Sequence, residues 1–147
     1  PDWRFHCPPV QNGRERHVFK RIMVPVDLAH ADRLDKALTC AADLAKHYGA
    51  TAVYVGVTST TPSKIAHTPK EFEGKLGSFA EEQASSRGIE TATHVEIAHD
   101  PTTEVDDALM RSVTATDADL VVMQSHIGPR NGGKLAEHGK VSVMVVR

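Results

Sequence analysis

The feature that most constrains this chain is the run Ile22-Met23-Val24-Pro25-Val26, which is short, apolar, rich in β-formers and closed by Asp27. Such a run reads as a buried strand whose terminal acid projects from the carboxyl edge of a sheet. A helical pattern follows at once, then a second apolar run, Ala52-Val53-Tyr54-Val55-Gly56-Val57. Strand, helix, strand alternation implies parallel strands joined by right-handed crossovers. In sheets of that kind ligands sit at the carboxyl ends of the strands, where the strand order reverses. Asp27 is therefore the first candidate for contact with a ligand.

The remaining segments repeat the alternation. Leu34, Leu38, Ala41, Ala42, Ala45 and Tyr48 recur at helical spacing through residues 30–48, and Gly49 supplies the stop. The small residues suit a helix lying close on a sheet, with Cys40 as one more small packing residue. A polar connection and an irregular stretch lead to Pro69, which can open a helix running to Arg87-Gly88 with Glu71 and Glu73 in its first turn. Gly74 and Gly77 weaken that helix by roughly 1 kcal/mol each relative to alanine. Residues 89–98 alternate through Thr91, Thr93, Val95 and Ile97, which predicts a half-buried strand near an edge. His99-Asp100-Pro101 breaks it, and Thr102 or Thr103 is expected to cap a helix bearing Val105, Leu109 and Val113. Residues 119–123 form a second central strand. A loop over 124–133, a short helix over 133–138 and a closing strand over 141–146 complete the pattern. The expectation is a doubly wound α/β domain over residues 19–147, with five strands, four helices and helices on both faces of the sheet. Residues 1–18, polar and without period, read as a loosely ordered amino-terminal extension, in which Trp3 and Phe5 could dock on the domain or a partner.

Composition narrows the function. With 147 residues the chain fits one domain able to bury roughly two-thirds of its unfolded surface without disulfides or metal. Seventeen Lys and Arg against nineteen Asp and Glu, with no long run of one sign, argue against nucleic acid or a membrane surface as partner. No apolar segment approaches the roughly 20 residues that span a bilayer, and the amino terminus lacks the apolar core of a secretion signal, so a cytoplasmic protein is expected. Cys7 and Cys40 lie far apart in unlike contexts and form neither a disulfide framework nor a zinc pattern, which fits a reducing compartment.

Two loops leave the carboxyl ends of the most apolar strands, one after Asp27 and one over 124–133, and they form a single cleft if those strands are neighbours. Asn131-Gly132-Gly133 precedes the last helix, so Asn131 can cap it while two glycine amides face outward at the positive end of the helix dipole, an arrangement that suits phosphate. The same tripeptide equally serves as an ordinary cap and turn. No phosphate loop ending in Gly-Lys-Ser or Gly-Lys-Thr is present, and Ala29 and His30 stand where a dinucleotide-binding enzyme would carry its Gly-x-Gly. None of the nine histidines pairs with another at metal-ligand spacing. His126 lies in the cleft loop beside Ser125, yet adjacent side chains rarely face each other, and no Gly-x-Ser-x-Gly elbow accompanies them.

Together, Ile22-Met23-Val24-Pro25-Val26-Asp27, His99-Asp100-Pro101, the segment Ala118-Asp119-Leu120-Val121-Val122-Met123-Gln124-Ser125-His126 and the closing Ser142-Val143-Met144-Val145-Val146-Arg147 resemble the universal stress protein family. The resemblance covers residues 19–147. It implies a parallel sheet of strand order 3-2-1-4-5 and a homodimer in which the last strands, 141–146, pair. Many members of the family hold ATP or another adenine nucleotide. By that likeness Asp27 meets the adenosine with Pro25 and Val26 beside it, the backbone near Val57 flanks the adenine, Met123 lines the floor, and Asn131 and Gly132 offer amides to the phosphates. Gln124, His126 and Arg130 complete the expected contact set.

The chain also departs from the nucleotide-binding branch. Gln124 and Ile127 occupy the positions of its first two glycines, and Arg130 stands in the later glycine or serine place. The loop is shorter by roughly seven residues, in a region where length change is usually tolerated. That shortening has two readings, a truncated phosphate loop or a segment missing from the sequence between about His126 and Asn131.

The reading that follows is a dimeric binding or regulatory module in stress response, with weak adenine-nucleotide binding, no required cofactor and protein partners as an option. It is more a binder than an enzyme, because no residue offers an obvious general base for attack on a γ-phosphate. The alternative is a competent ATP-binding member with slow hydrolysis, in which Asp27 and the Asn131 helix terminus orient the nucleotide. An electron-transfer flavoprotein-like domain is disfavoured by the short chain without a partner domain, and it would be yellow.

Overall fold

Ile22, Met23 and Val24 are almost wholly buried, as expected of a central strand, and the sheet is built outward from them. The computed structural model describes residues 18–100, 103–125, 136–137 and 141–147. Its strands are β1 (Arg21–Pro25), β2 (Thr51–Thr58), β3 (Thr91–Ile97), β4 (Leu120–Gln124) and β5 (Ser142–Val146). All are parallel, in the order β3-β2-β1-β4-β5, which is the doubly wound order that the family resemblance implies. The helices are α1 (Asp35–Tyr48), α2 (Pro69–Arg87) and α3 (Val105–Thr116), with a 3-10 helix over Leu28–Leu34 leading into α1.

Strand alternation sorts the core into two layers. Ile22, Val24, Tyr54, Leu120 and Val122 face α1 and α2, where Leu38, Ala41, Ala45, Phe72 and Leu76 meet them. Met23, Val53, Val55, Val121 and Met123 face the other way, onto Leu109 of α3. Alanines at 37, 41, 42 and 45 are all buried, so α1 approaches the sheet closely, and Cys40 packs at its margin as expected. Gly49 ends the helix in a left-handed conformation (φ 65°), its N–H returning to the Ala45 carbonyl.

Asp119 ties the amino ends of the two central strands together. Its carboxylate accepts the N–H groups of Lys20 and Arg21 at 2.8 and 3.1 Å, while its own N–H donates to the Arg21 carbonyl. At the opposite end, β1 pairs with β2 as far as Pro25 and Val55, but its pairing with β4 stops at Met23 and Val121. Pro25 has no N–H to give and lies beyond that last pair, at the reversal of strand order.

Three local expectations are corrected. The helix predicted over residues 30–48 is α-helical only from Asp35; before it the chain turns as a 3-10 helix, because the Asp27 carboxylate takes the Ala29 N–H and His30 leaves helical geometry (φ −131°, ψ 36°). The N-cap of α3 is Glu104 instead of Thr102 or Thr103. There the N–H groups of Thr103 and Glu104 turn back to the Asp100 carbonyl, and the Glu104 carboxylate accepts the His99 N–H at 3.0 Å. Strand β4 also runs one residue further than expected, to Gln124. Of the short helix predicted over 133–138, Ala136 and Glu137 are helical and exposed, and the remainder lies outside the described residues.

Candidate functional site

A cleft of about 190 Å³ opens at the carboxyl ends of β1 and β2. Val26, Asp27, Leu28 and Ala29 form one side, Val57, Thr58 and Ser59 another, and Ser63, Ile65 and Phe72 the third. It is smaller than the roughly 300 to 1,000 Å³ of pockets that engulf a drug-sized ligand, so it suits a single ring system more than a whole nucleotide. The walls are aliphatic and aromatic. Among the described residues, the rim carries three hydroxyls and one carboxylate, that of Asp27, with no lysine, arginine or histidine in the lining.

Each wall has a local cause. Val26, just past β1, continues the ladder by donating its N–H to the Val55 carbonyl at 2.8 Å, which brings Asp27 to the mouth. There Asp27 acts as N-cap of the 3-10 helix, its Oδ1 accepting the Ala29 N–H at 3.1 Å. Its Oδ2 lies 2.8 Å from Nδ1 of His30.

The far wall is set by the start of α2. Thr68 caps it by accepting the Glu71 N–H at 3.1 Å, and the Glu71 carboxylate accepts the His67 N–H at 3.0 Å, a close variant of the capping box. The His67 amide, with Lys75 beside it, holds the Glu71 carboxyl below its ordinary range. This fixes the turn that aims Phe72 at the sheet. Phe72 fits only because residue 56 is glycine; a β-carbon there would stand 2.4 Å from the Phe72 ring. The intervening loop is held by Ser63, whose Oγ accepts the N–H groups of Ile65 and Ala66, and by the Lys75 ammonium, which donates to the Ile65 carbonyl.

Of the residues expected at a site, the structure brings Val26, Asp27 and Val57 together around this cleft. Pro25 is buried within β1, and Met123 points to the α3 side, packed in the layer that contains Leu109; neither is in the lining. Alternation places Gln124 on the opposite face from Met123, and its Oε1 accepts the Ala37 N–H of α1 at 3.3 Å. His126, Arg130, Asn131 and Gly132 lie outside the described residues. Sequence reasoning missed Leu28, Ala29, Thr58, Ser59, Ser63, Ile65 and Phe72. The capping signature Thr68-Pro69-Lys70-Glu71 could have fixed the start of α2, and with it Phe72; the loop residues left no periodic signal.

Chemically, the site offers an apolar slot with hydrogen-bonding groups at its edge. Among the described residues no histidine or cysteine stands in it beside a hydroxyl, and no group of three His, Cys, Asp or Glu side chains is arranged to hold a metal ion. No helix among the described residues is long and apolar enough to cross a membrane.

A five-stranded parallel sheet of this order, with a cleft at its carboxyl edge, defines a doubly wound α/β domain. The model of the universal stress protein family matches residues 19–147, and the chain belongs to that family. Its fold is similar to that of a universal stress protein from Archaeoglobus fulgidus in complex with dAMP, with a TM-score of 0.65, 19% identity and coverage of 88% of this chain and 99% of that one. It is likewise similar to a universal stress protein in complex with cAMP (TM-score 0.64, 17% identity, 88% and 97% covered). A family protein from Arabidopsis thaliana with AMP bound is a third neighbour (TM-score 0.57, 13% identity, 86% and 90% covered). No curated protein matches the chain closely in sequence.

Proposed function

We propose that this chain is an adenine-nucleotide-binding member of the universal stress protein family, acting as a binding or regulatory module in stress response. The observation that carries this reading is the cleft at the ends of β1 and β2, with Asp27 at its mouth and the apolar surfaces of Val57, Ile65 and Phe72 around it. A planar base fits between apolar walls, and a carboxylate beside it meets amino or hydroxyl donors of the base or ribose. That three fold neighbours were solved with AMP, dAMP or cAMP supports the same ligand class. Asn131 and Gly132 are proposed to meet the phosphates, with His126 and Arg130 nearby. Binding is weak in this proposal, because Gln124 stands where a glycine would leave the backbone open to a close approach.

Self-association is part of the proposal. Strand β5 is an edge of the sheet, and Met144 and Val145 on it are 41% and 40% exposed. An apolar edge strand is normally covered, and pairing with the same strand of a second copy would cover it.

The test is to denature freshly purified protein, identify any small molecule released, and then titrate the emptied protein with AMP and ATP. Bound adenine nucleotide, or saturable binding with a micromolar to millimolar Kd, is expected. An empty protein indifferent to millimolar AMP and ATP would sink the nucleotide reading.

A further inference from the structure

The turn that follows β1 leaves both oxygens of Asp27 engaged. Oδ1 accepts the Ala29 N–H at 3.1 Å, and Oδ2 meets Nδ1 of His30 at 2.8 Å. Asp27 lines the cleft and His30 does not. The backbone of His30 departs from helical geometry within Leu28–Leu34, interrupting the turn at the residue whose ring closes back on the carboxylate.

The two side chains are 50% and 42% exposed, and a pair so open to water adds little to stability. Its consequence is orientation. A carboxylate offers about four acceptor positions, and here two are occupied, one on each oxygen. These contacts favour this rotamer before a ligand arrives, and the remaining positions accept donors only.

We infer that His30 is a positioning residue for Asp27, setting its carboxylate to receive an amino or hydroxyl donor of a nucleoside. This rests on the nucleotide reading above and adds to it a residue that touches no ligand. Fixing a recognition group in advance strengthens binding by removing the ordering cost at the moment of association.

Calorimetric titration with adenosine and AMP tests it, using wild type, His30→Ala, His30→Asn, Asp27→Asn and the double variant Asp27→Asn/His30→Ala. His30→Ala should weaken adenosine binding about 3- to 10-fold, the loss expected for one orienting hydrogen bond, with an unchanged melting temperature. His30→Asn, whose amide donates from nearly the place of Nδ1, should restore most of the loss. In the Asp27→Asn background, His30→Ala should add nothing, because its action passes through the carboxylate. Wild-type affinity in His30→Ala, or losses that multiply in the double variant, would overturn the inference while leaving the nucleotide reading intact. A wild-type protein that binds neither adenosine nor AMP would remove that reading itself, and the inference with it.

Discussion

Gln124, the last residue of β4, accepts a hydrogen bond from the Ala37 amide in the first turn of α1, across 3.3 Å. Helix α1 has no side-chain cap of its own, since its N-cap residue is Leu34, so one of its orphan amides is served from the neighbouring strand. This gives Gln124 a structural role quite apart from any ligand. Gln124→Ala should cost about 1 kcal/mol in urea unfolding, whereas Gln124→Glu should retain or exceed wild-type stability near neutral pH, because a carboxylate at a helix N-terminus also meets the dipole. Equal losses in both variants would show that the contact contributes nothing.

Three glycines, Gly56 on β2 and Gly74 and Gly77 on α2, are not equivalent. A β-carbon at Gly74 or Gly77 meets nothing within 4 Å, so alanine there should stabilise α2 by up to about 1 kcal/mol each through helix propensity. At Gly56 the same β-carbon would strike Phe72, and Gly56→Ala should destabilise by about 1 to 3 kcal/mol while displacing the ring from the cleft. Thermal denaturation of the three single variants checks the contrast; a neutral Gly56→Ala would refute the close packing.

Tyr54 is fully buried on β2, its ring edge-on to Phe79, and its hydroxyl has no hydrogen-bond partner among the described residues. Burial pushes the phenol up to about 12. An unpaired buried hydroxyl costs free energy that phenylalanine would not incur. Tyr54→Phe should therefore be neutral or more stable by up to about 1 to 2 kcal/mol, with Phe79 packing kept. Loss of more than about 1 kcal/mol in chemical denaturation would mean that the hydroxyl is satisfied in solution.

On the edge strand β3, Glu96 receives the Arg111 guanidinium of α3 and the His94 ring, both at 2.9 Å. Burial pushes its carboxyl up, but the hydrogen bonds from Arg111 and His94 outweigh this and hold it below its ordinary 4.5. Because the folded value is depressed, the stabilisation is complete above pH 4.5 and disappears as pH falls through the lower folded value. Glu96→Gln should lose about 1 kcal/mol at pH 7 and show a shallower decline of stability between about pH 5 and 3. Unfolding curves of both proteins across that range test it; identical pH profiles would remove Glu96 from the account.

Sequence pattern revealed the sheet because burial on both faces leaves continuous apolar runs, as at residues 22–26 and 119–123, and small residues at helical spacing marked α1. It placed Asp27 at the carboxyl edge, where Asp27 lines the cleft, because a charge ending such a run has few places to go but the sheet edge. It could not find Ser63 or Ile65, which reach the cleft through a loop held by hydrogen bonds from Ser63 and Lys75 that follow no period. Nor could it foresee the break at His30, where a local contact to Asp27 overrides a helical pattern. Met123 and Gln124 are neighbours in sequence, but alternation sends one to the α3 side and the other to α1, and a motif-based transfer of roles did not separate them.

The proposed pairing through β5 makes a prediction that stability measurements would miss. Val146 is buried and belongs to the core, so substitution there would confuse folding with association. Met144 and Val145 are exposed, and lysine at both positions should leave the monomer folded while placing like charges on the edge. Light scattering should then report a shift from dimer to monomer, with near-wild-type circular dichroism. A wild-type protein already monomeric at tens of micromolar, or a Met144→Lys/Val145→Lys variant that stays dimeric, would move association away from this strand.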